Sequence, residues 1–334
     1  MSPLYDVYAI GNALVDTEFV VSDAFLAEHG IAKSLMTLVP QAQQLRTIAA
    51  LTASGEPRKR ASGGSAANTA MTVQGLGGQS YYSCRVADDD TGAFYVNDLL
   101  SAGVGTNMHS HRPQGVSGTC LVMVTPDAER TMNTFLGISE QVSVDDLDEQ
   151  ALARSRWVYL EGYLVTSPSG RAAAIRLREL AEQHGVKVAM TLSDPSMVQL
   201  FRDGLSAMLG AGVDLLFCNE DEARQFTGTD SAEAALQALS AVARQVVVTC
   251  GARGALIFDS GTIHAVSGVP TQAVDTNGAG DTFAGAFLYA VARGRDVQTA
   301  GTLACHAASQ VVSDFGPRLS GDALRSLRSQ VLGE

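Results

Sequence analysis

The stretch DTNGAGDTFAGAFLYA (275–290) places a glycine-rich loop directly before an apolar segment. Gly278, Ala279 and Gly280 allow the backbone to turn tightly. The apolar side chains that follow recur with helical spacing, so the stretch predicts a loop that opens into a buried helix. Unpaired N–H groups and the dipole at the start of such a helix form an anion hole suited to a phosphoryl group.

Asp281 falls at the start of this predicted helix. An aspartate in that position is commonly an N-cap, and the helix dipole stabilises its charge. A carboxylate beside an anion hole is also placed to take a proton from an attacking hydroxyl group. The stretch alone leaves both interpretations open.

Short apolar runs rich in β-branched residues recur along the rest of the chain and predict strands. Several are continuous rather than alternating, as expected for strands buried on both faces. Helical stretches such as 170–184 and 231–244 lie between them. The alternation predicts an α/β fold with a central, mainly parallel sheet flanked by helices. The predicted strands are residues 6–10, 81–87, 156–164, 187–192, 214–218 and 245–249.

Residues 106–136 interrupt this alternation. Two strand-like runs there flank the turn signal TPD (125–127), which predicts a hairpin. Together with residues 14–38, the hairpin is expected to form a small separate sheet that acts as a lid on a single domain spanning 1–334. The basic segment 52–62 is expected to be a solvated loop.

Composition excludes several classes of function. The 334 residues include 23 Lys+Arg and 35 Asp+Glu, a net charge of −12, which argues against nucleic-acid binding. No signal-peptide pattern and no apolar run of about 18 residues are present, so no membrane contact and a cytoplasmic location are expected. The five cysteines form no C-x-x-C motif, so neither a disulfide framework nor a zinc site is indicated. No Gly-Lys pair exists, which excludes a Walker A loop.

Polar residues and glycines follow two of the predicted strands, where ligands gather in an open parallel sheet. Asn219 and Glu222 offer oxygens that could hold Mg²⁺ through water, although an acidic helix start explains the same pair. Thr249, Gly251 and Gly254 suit backbone contacts to phosphate, and a plain β-turn explains them equally.

A second set of polar residues lies near the N-terminus. Asn12 and Asp16 follow the first predicted strand, and Gly63, Gly64 and Asn68 belong to a glycine-rich loop that enters a helix. Asparagine and aspartate side chains at these positions can hydrogen-bond the vicinal hydroxyl groups of a ribose or polyol. An ordinary loop carboxylate and a tight turn are the alternative interpretations.

Together these stretches resemble the ribokinase-like (PfkB) family of carbohydrate and nucleoside kinases. The resemblance covers nearly the whole chain and rests on GNALVD (11–16), SGGSAANTA (62–70), NEDE (219–222), TCGARG (249–254) and DTNGAGDTFAGAF (275–287). It implies a ribokinase-like fold and an ATP-dependent kinase with an alcohol acceptor. It also implies Mg²⁺, a monovalent cation such as K⁺ as an optional cofactor, and a monomer or homodimer.

The resemblance implies a role for each motif. Asp281 is expected to be the catalytic base, with residues 278–280 as the anion hole. Asn219 and Glu222 are expected to organise Mg²⁺. Asp16 is expected to bind the acceptor's hydroxyl groups. The further implied contacts are Asn12, Gly63, Gly64 and Asn68 with the acceptor, and Asn219, Thr249, Gly251, Gly254 and Asn277 with ATP.

Within the family, the chain is most similar to the branch that phosphorylates the 5′-hydroxyl of adenosine to give AMP. GNALVD followed by FLAEHGI, the predicted hairpin and EGYLVTSP carry this similarity. It implies that Arg130 contacts ATP phosphate and that Phe135 and Tyr163 contact the purine. Ser196 stands where animal-type enzymes of the branch have an aromatic residue. A fructokinase or ribokinase type of sugar kinase and an inosine or guanosine kinase therefore remain alternatives.

Overall fold

A computed structural model describes residues 3–108 and 112–334. Residues 1–2 of the predicted domain and residues 109–111 of the predicted lid range lie outside the described part. The strands are β1 (Tyr5–Ile10), β2 (Leu14–Val20), β3 (Met36–Leu38), β4 (Lys59–Gly63), β5 (Ser80–Ser83), β6 (Gly118–Val124), β7 (Arg130–Phe135), β8 (Ser155–Leu160), β9 (Lys187–Thr191), β10 (Val213–Asn219), β11 (Ala243–Thr249), β12 (Gly254–Asp259) and β13 (Thr262–Ser267).

The α-helices alternate with these strands over most of the described chain. They are α1 (Asp23–Glu28), α2 (Gln41–Ser54), α3 (Ser65–Gly75), α4 (Asp90–Ser101), α5 (Glu149–Ala153), α6 (Pro168–His184), α7 (Pro195–Leu209), α8 (Glu220–Thr227), α9 (Ala232–Leu239), α10 (Ala279–Ala292), α11 (Val297–Val311) and α12 (Gly321–Leu332). Within the described ranges, no helix combines the length and apolar character needed to cross a membrane.

The larger sheet has the strand order β13–β12–β11–β10–β9–β8–β1–β5. Neighbours from β11 to β5 pair in parallel, and β12 and β13 add an antiparallel hairpin at one edge. Both faces are buried, as β1 illustrates: Val7 and Ala9 belong to one apolar core, and Tyr8 and Ile10 belong to the other. The predicted α/β fold with a mainly parallel central sheet is confirmed.

The smaller sheet has the order β3–β7–β6–β2–β4. Its strands β2, β3, β6 and β7 come from the two segments predicted to form a lid. Phe19, Leu121 and Met123 on one face pack against α1 and α2. Leu14 and Cys120 lie on the opposite face, which is directed at the larger sheet. The smaller sheet therefore has a covered outer face and an inner face that is free to line a cavity.

The expectation of a solvated loop over residues 52–62 is wrong at both ends. Residues 52–54 form the last turn of α2. Residues 59–62 lie in β4, which pairs antiparallel with β2, and Ala61 and Ser62 are buried. Nζ of Lys59 donates to the carbonyl oxygen of Phe315 over 3.0 Å. The partners of this strand lie far away in sequence, so the basic composition of the segment gave no sign of them.

Three predicted boundaries also differ from the structure. The strand expected over 81–87 ends at Ser83. The helix expected over 231–244 ends at Leu239, because the strand β11 begins at Ala243. The strand expected over 156–164 ends at Leu160, and residues 162–166 form a short 3₁₀ helix instead.

Candidate active site

A cavity of about 520 Å³ lies between the two sheets, within the size range of small-ligand sites. Its floor is formed where the parallel strands of the larger sheet end, as expected for a ligand site in an open α/β sheet. The residues that the strand ends supply include Asn12, Glu161, Thr191, Asn219 and Thr249. The residues that the inner face of the smaller sheet supplies include Leu14, Asp16, Met36, Cys120, Arg130, Met132 and Thr134.

The glycine-rich loop enters this cavity at the start of α10, and the prediction of a buried helix there is confirmed. Gly278 is the N-cap residue, with φ of 72°. A Cβ atom at this position would overlap the carbonyl oxygen of Pro317, so both the conformation and the space require glycine. A Cβ atom at Gly280 would meet nothing within 4 Å. The first turn of α10 therefore lines the cavity with free space in front of it.

Asp281 lies in the first turn of α10 but does not cap it, since Gly278 is the N-cap and no side chain makes a capping bond. Its carboxylate instead accepts two hydrogen bonds from α3. Oγ of Ser65 donates to Oδ1 over 2.7 Å, and Nδ2 of Asn68 donates to Oδ2 over 2.9 Å. Burial raises the pKa of Asp281, while these two bonds and the charge of Arg130 lower it. The carboxylate is thus held in place by α3 rather than used for capping.

The loop before α10 is fixed to the smaller sheet. Asp275 is fully buried and accepts hydrogen bonds from the backbone N–H groups of Asn277, over 2.9 Å, and Gly316, over 3.1 Å. Nδ2 of Asn277 donates to Oε1 of Glu18 on β2 over 3.2 Å. Asn277, predicted to contact ATP, lines the cavity through this arrangement.

Arg130, at the start of β7, also lines the cavity. Its Nη1 donates to the carbonyl oxygen of Thr276 over 2.8 Å, which joins the smaller sheet to the glycine-rich loop. Its positive charge lowers the pKa of both Asp281 and Glu222. The guanidinium group therefore shares the cavity with the two carboxylates predicted to act in catalysis and metal binding.

Asp16 lies on β2, on the inner face of the smaller sheet that lines the cavity, and is almost fully buried. Burial raises the pKa of Asp16 to about 8, and the nearby charge of Glu18 adds to the effect. A Cβ atom at Gly63 would overlap the Asp16 carboxylate, and one at Gly64 would overlap the carbonyl oxygen of Asn12. The absence of side chains at Gly63 and Gly64 therefore allows the turn into α3 to approach Asp16 and Asn12 closely.

Glu161 is a buried residue of the cavity that sequence reasoning did not single out. The backbone N–H and Nδ2 of Asn12 donate to its Oε1 over 3.1 and 3.3 Å, and the N–H of Ala66 donates to its Oε2 over 2.8 Å. Burial raises the pKa of Glu161 to about 8. Its carboxylate joins Asn12 to the first turn of α3. The sequence signal that could have identified Glu161 is its position as a carboxylate directly after the apolar strand β8.

Arg318 was also missed. Its Nη1 donates to Oδ1 of Asn68 over 3.3 Å and to Oγ of Ser62 over 3.1 Å, and its Nη2 donates to Asp98 over 2.8 Å. These bonds fix the amide of Asn68 so that its Nδ2 points at Asp281. No sequence signal connects Arg318 to a residue 250 positions away.

Asn219 and Glu222 form a capping box at the start of α8. Oδ1 of Asn219 accepts from the N–H of Glu222 over 2.8 Å, and Oε2 of Glu222 accepts from the N–H of Asn219 over 3.1 Å. Burial raises the pKa of Glu222 to about 8, with a further contribution from Asp194. The helix-start interpretation is therefore correct, and both side chains also line the cavity.

The three residues predicted after β11 separate in space. Thr249 lines the cavity, and its Oγ1 donates to the carbonyl oxygen of Cys218 over 3.4 Å. Gly251 is exposed, and Gly254 is buried where a Cβ atom would overlap the carbonyl oxygen of Val266. Neither glycine is among the residues that line the cavity. The packing against β13 accounts for Gly254 without a ligand.

The two aromatic residues predicted to contact a purine also separate. Tyr163 lines the cavity. Phe135 pairs with Thr119, whose Oγ1 donates to Gln44 on the covered outer face of the smaller sheet. Residues 130, 132 and 134 of β7 line the cavity, so the alternation of a strand directs Phe135 to the opposite face. The prediction that Phe135 contacts the base is corrected accordingly.

Comparison with known proteins agrees with this fold. The sequence pattern of the pfkB family carbohydrate kinases matches residues 31–323. The crystal structures of adenosine kinase from Sinorhizobium meliloti and of a probable sugar kinase from Rhizobium etli each share 34% identity. Each superimposes with a TM-score of 0.92 over 98% of this chain, covering 99% and 98% of those chains respectively. Adenosine kinase from Saccharomyces cerevisiae is 27% identical over 92% of this chain and 95% of its own length.

Fold, site and similarity together define an ATP-dependent kinase with a hydroxyl acceptor. More particularly, the chain belongs to the pfkB family of carbohydrate kinases.

Proposed function

We propose that this kinase transfers the γ-phosphoryl group of ATP to the 5′-hydroxyl of adenosine, giving ADP and AMP. The observation that carries the proposal is Asp281, held by Ser65 and Asn68 beside the start of α10 in the same cavity as Asp16. Both carboxylates line this one cavity, and the negative charge of Asp281 contributes to the raised pKa of Asp16. We propose that one acceptor molecule contacts both.

The inner face of the smaller sheet supports a nucleoside as the acceptor. It presents an apolar surface beside Asp16. A free sugar has no apolar group large enough to cover this surface. A purine base attached to a ribose would bury this surface while its hydroxyl groups reach Asp16 and Asn68. The apolar residues of this surface are Leu14, Met36, Leu38, Cys120, Met132 and Leu136.

The proposed reaction is an in-line displacement. Asp281 takes the proton of the 5′-hydroxyl as its oxygen forms a bond to the γ-phosphorus. The bond from that phosphorus to the oxygen bridging it to the β-phosphorus breaks, and ADP leaves with the electron pair. The N–H groups of residues 278–281 and the guanidinium group of Arg130 stabilise the charge on the transferred group.

Asn219 and Glu222 provide a donor set that fits Mg²⁺. Both offer oxygen atoms at the end of β10 and face the cavity, although their mutual hydrogen bonds favour contact through water. Within the described ranges, no group of three or more His, Cys, Asp or Glu residues could hold a metal ion alone. When bound, Mg²⁺ would neutralise phosphate charge. Contact through water suits a Mg²⁺ ion that also binds the phosphates of the nucleotide. K⁺ is proposed only as an optional second cation.

The smaller sheet is proposed to act as a lid, since it forms one wall of the cavity and carries Asp16 and Arg130. Closure over both substrates would exclude water and limit ATP hydrolysis. We propose a cytoplasmic enzyme that acts as a monomer or homodimer.

A sugar kinase is the second candidate. The probable sugar kinase from Rhizobium etli is as similar to this chain as the adenosine kinase from Sinorhizobium meliloti. Ser196 supports a sugar as the acceptor, because it supplies no aromatic surface on which a purine could stack. Its Oγ instead donates to Asp194 over 2.5 Å.

An acceptor panel tests the proposal. The purified protein, with ATP and Mg²⁺, is given adenosine, inosine, guanosine, ribose or fructose, and phosphorylated products are identified by mass. We expect the highest kcat/KM with adenosine and AMP as its product. Rapid phosphorylation of fructose or ribose without turnover of adenosine would overturn the choice of acceptor while leaving the kinase assignment intact.

A further inference from the structure

Lys59 is one of three lysines in the chain, and its side chain joins two distant parts of the fold. It lies on β4, the edge strand of the smaller sheet that pairs with β2. Its Nζ donates to the carbonyl oxygen of Phe315 over 3.0 Å, and Phe315 belongs to the loop of residues 312–320 between α11 and α12. A Cβ atom at Gly316 would overlap the ammonium group. The ammonium group of Lys59 is therefore packed directly against this loop.

Loop 312–320 supports the turn at the start of α10 that is proposed to bind the transferred phosphoryl group. The carbonyl oxygen of Pro317 lies against Gly278, the N-cap of α10, and leaves no space for a Cβ atom there. The N–H of Gly316 donates to the fully buried carboxylate of Asp275, just before the same turn, over 3.1 Å. A displacement of the loop would therefore displace the turn as well.

Glu18 lies directly opposite Lys59 in the antiparallel pair of β2 and β4. Opposite charges in this arrangement attract each other across a sheet. The ammonium group of Lys59 nevertheless donates to Phe315, and Oε1 of Glu18 accepts from Nδ2 of Asn277 over 3.2 Å. One cross-strand pair of the smaller sheet thus holds two loops, the one before α10 and the one before α12.

The positive charge of Lys59 lies beside a buried carboxylate. Burial and the charge of Asp275 raise the pKa of Glu18, while the bond from Asn277 and the charge of Lys59 lower it. Oε2 of Glu18 is buried without a hydrogen-bond partner within residues 3–108 and 112–334. Loss of the ammonium group would leave this carboxylate less well compensated. The charge of Lys59, as well as its hydrogen bond, is therefore expected to stabilise the contact.

We infer that Lys59 is a positioning residue whose ammonium group fixes the phosphate-binding turn of α10 to the smaller sheet through loop 312–320. Neither Lys59 nor Glu18 is among the residues that line the cavity, so Lys59 acts on the turn rather than on a substrate. The inference rests on the proposed binding of the transferred phosphoryl group at this turn. It adds that the turn keeps its geometry only while the smaller sheet holds the loop in place.

Lys59→Met tests this role, because methionine fills similar space with neither a charge nor a donor. Displacement of the turn predicts that kcat falls at least about tenfold, since small errors of position are costly in phosphoryl transfer. The KM for adenosine should change less than about twofold, because Asp16 and Asn68 are untouched. A folded Lys59→Met variant with wild-type kcat, whether or not it is less stable, would overturn the inference.

Calorimetric titration separates the turn from the rest of the nucleotide site. The non-hydrolysable β,γ-imido analogue of ATP has a γ-phosphate for the turn to bind, and ADP has none. Lys59→Met should therefore bind the imido analogue about fivefold more weakly than wild type does, and ADP with unchanged affinity. Equal weakening of both ligands, or of neither, would contradict the inference.

Lys59→Ala tests the positive charge itself, because it leaves space for an added amine. Propylammonium has the three carbons and the ammonium group that the substitution removes, and 1-propanol is a neutral molecule of similar size. Propylammonium should raise the kcat of Lys59→Ala at least about threefold, and 1-propanol should not. Restoration by both compounds, or by neither, would contradict a role for the charge.

Lys33 provides the matched control. It lies in the segment before β3, outside the cavity lining, and its Nζ forms ion pairs with Asp23 over 2.8 Å and with Asp127 over 2.6 Å. Lys33→Met should leave kcat and both nucleotide affinities at the wild-type values. A fall in kcat equal to that of Lys59→Met would overturn the inference, because the effect would not be specific to loop 312–320.

Gly280→Ala distinguishes a failure of this inference from a failure of the proposed phosphate site. Its methyl group would enter the open space in front of the turn. If Gly280→Ala weakens binding of the imido analogue and Lys59→Met does not, the turn binds phosphate and the inference is wrong. If neither substitution weakens binding, the proposed phosphate site is wrong as well. These titrations need no acceptor, so they hold even if adenosine is not the substrate.

Discussion

Asn68 donates a hydrogen bond to Asp281 over 2.9 Å, although the two residues are 213 positions apart in the chain. The bond joins the first turn of α3 to the first turn of α10. Glu161 fixes the same turn of α3 through the N–H of Ala66, and Arg318 fixes the amide of Asn68. The orientation of the proposed base therefore depends on four separate parts of the chain.

Replacing Asn68 tests this relationship. Asn68→Ala removes one of the two donors to the Asp281 carboxylate, so its charged form is less stable and its pKa rises further. We expect kcat to fall by roughly 10-fold to 100-fold at neutral pH and the acid limb of the pH–kcat profile to move to higher pH. A uniform fall in kcat at all pH values would contradict the effect on the pKa.

Gly278 and Gly280 should respond differently to alanine. Gly278→Ala introduces a Cβ atom against Pro317 at a positive φ, and should reduce the free energy of unfolding by roughly 1–3 kcal/mol or more. Gly280→Ala places its methyl group in the open space of the anion hole, so stability should be kept while kcat/KM falls at least about tenfold. Urea unfolding and steady-state kinetics measure the two effects. Full activity of Gly280→Ala would argue against phosphate binding at this turn.

Met132 and Phe135 test which face of β7 meets the base. Met132 lines the cavity, whereas Phe135 lies on the opposite face of the strand. Met132→Ala should raise the KM for adenosine about fivefold, from the loss of about 1 kcal/mol of apolar contact. Phe135→Ala should leave that KM unchanged and reduce stability instead. A raised KM for adenosine in Phe135→Ala, with an unchanged KM in Met132→Ala, would instead support the prediction that Phe135 contacts the base.

Glu18 should make stability depend on pH. It is 1% exposed, and burial, with a contribution from Asp275, raises its pKa from 4.5 to about 7. When the pKa of a carboxyl group is higher in the folded state than in the unfolded state, its protonated form stabilises the fold at pH values below the unfolded-state pKa. That stability is lost as the pH rises through the folded-state pKa. The wild type should thus lose on the order of 1–3 kcal/mol from this group between pH 5 and 8.

Glu18→Gln cannot ionise, and so it should lack this part of the decline. Free energies of unfolding in urea at pH 5 and pH 8 compare the two proteins. Parallel declines in wild type and variant would show that Glu18 does not cause the pH dependence.

Local patterns predicted the elements of the site better than its contacts. The loop before α10 and the residues at the ends of the parallel strands are visible in the sequence, because helical period, glycine content and strand composition are local properties. The pairing of β4 with β2 and the bonds from Arg318 depend on residues distant in the chain. Phe135 shows a further limit, since the face of a strand is set by what packs on each side.

Asp281→Asn tests the central claim most directly. Asparagine has nearly the same shape as aspartate but cannot accept the proton of the attacking hydroxyl at neutral pH. We expect kcat with adenosine to fall about 10²–10⁴-fold. The thermal unfolding midpoint and the affinity for the non-hydrolysable β,γ-imido analogue of ATP should stay near the wild-type values. A folded Asp281→Asn variant with near wild-type kcat would contradict the assignment of Asp281 as the base.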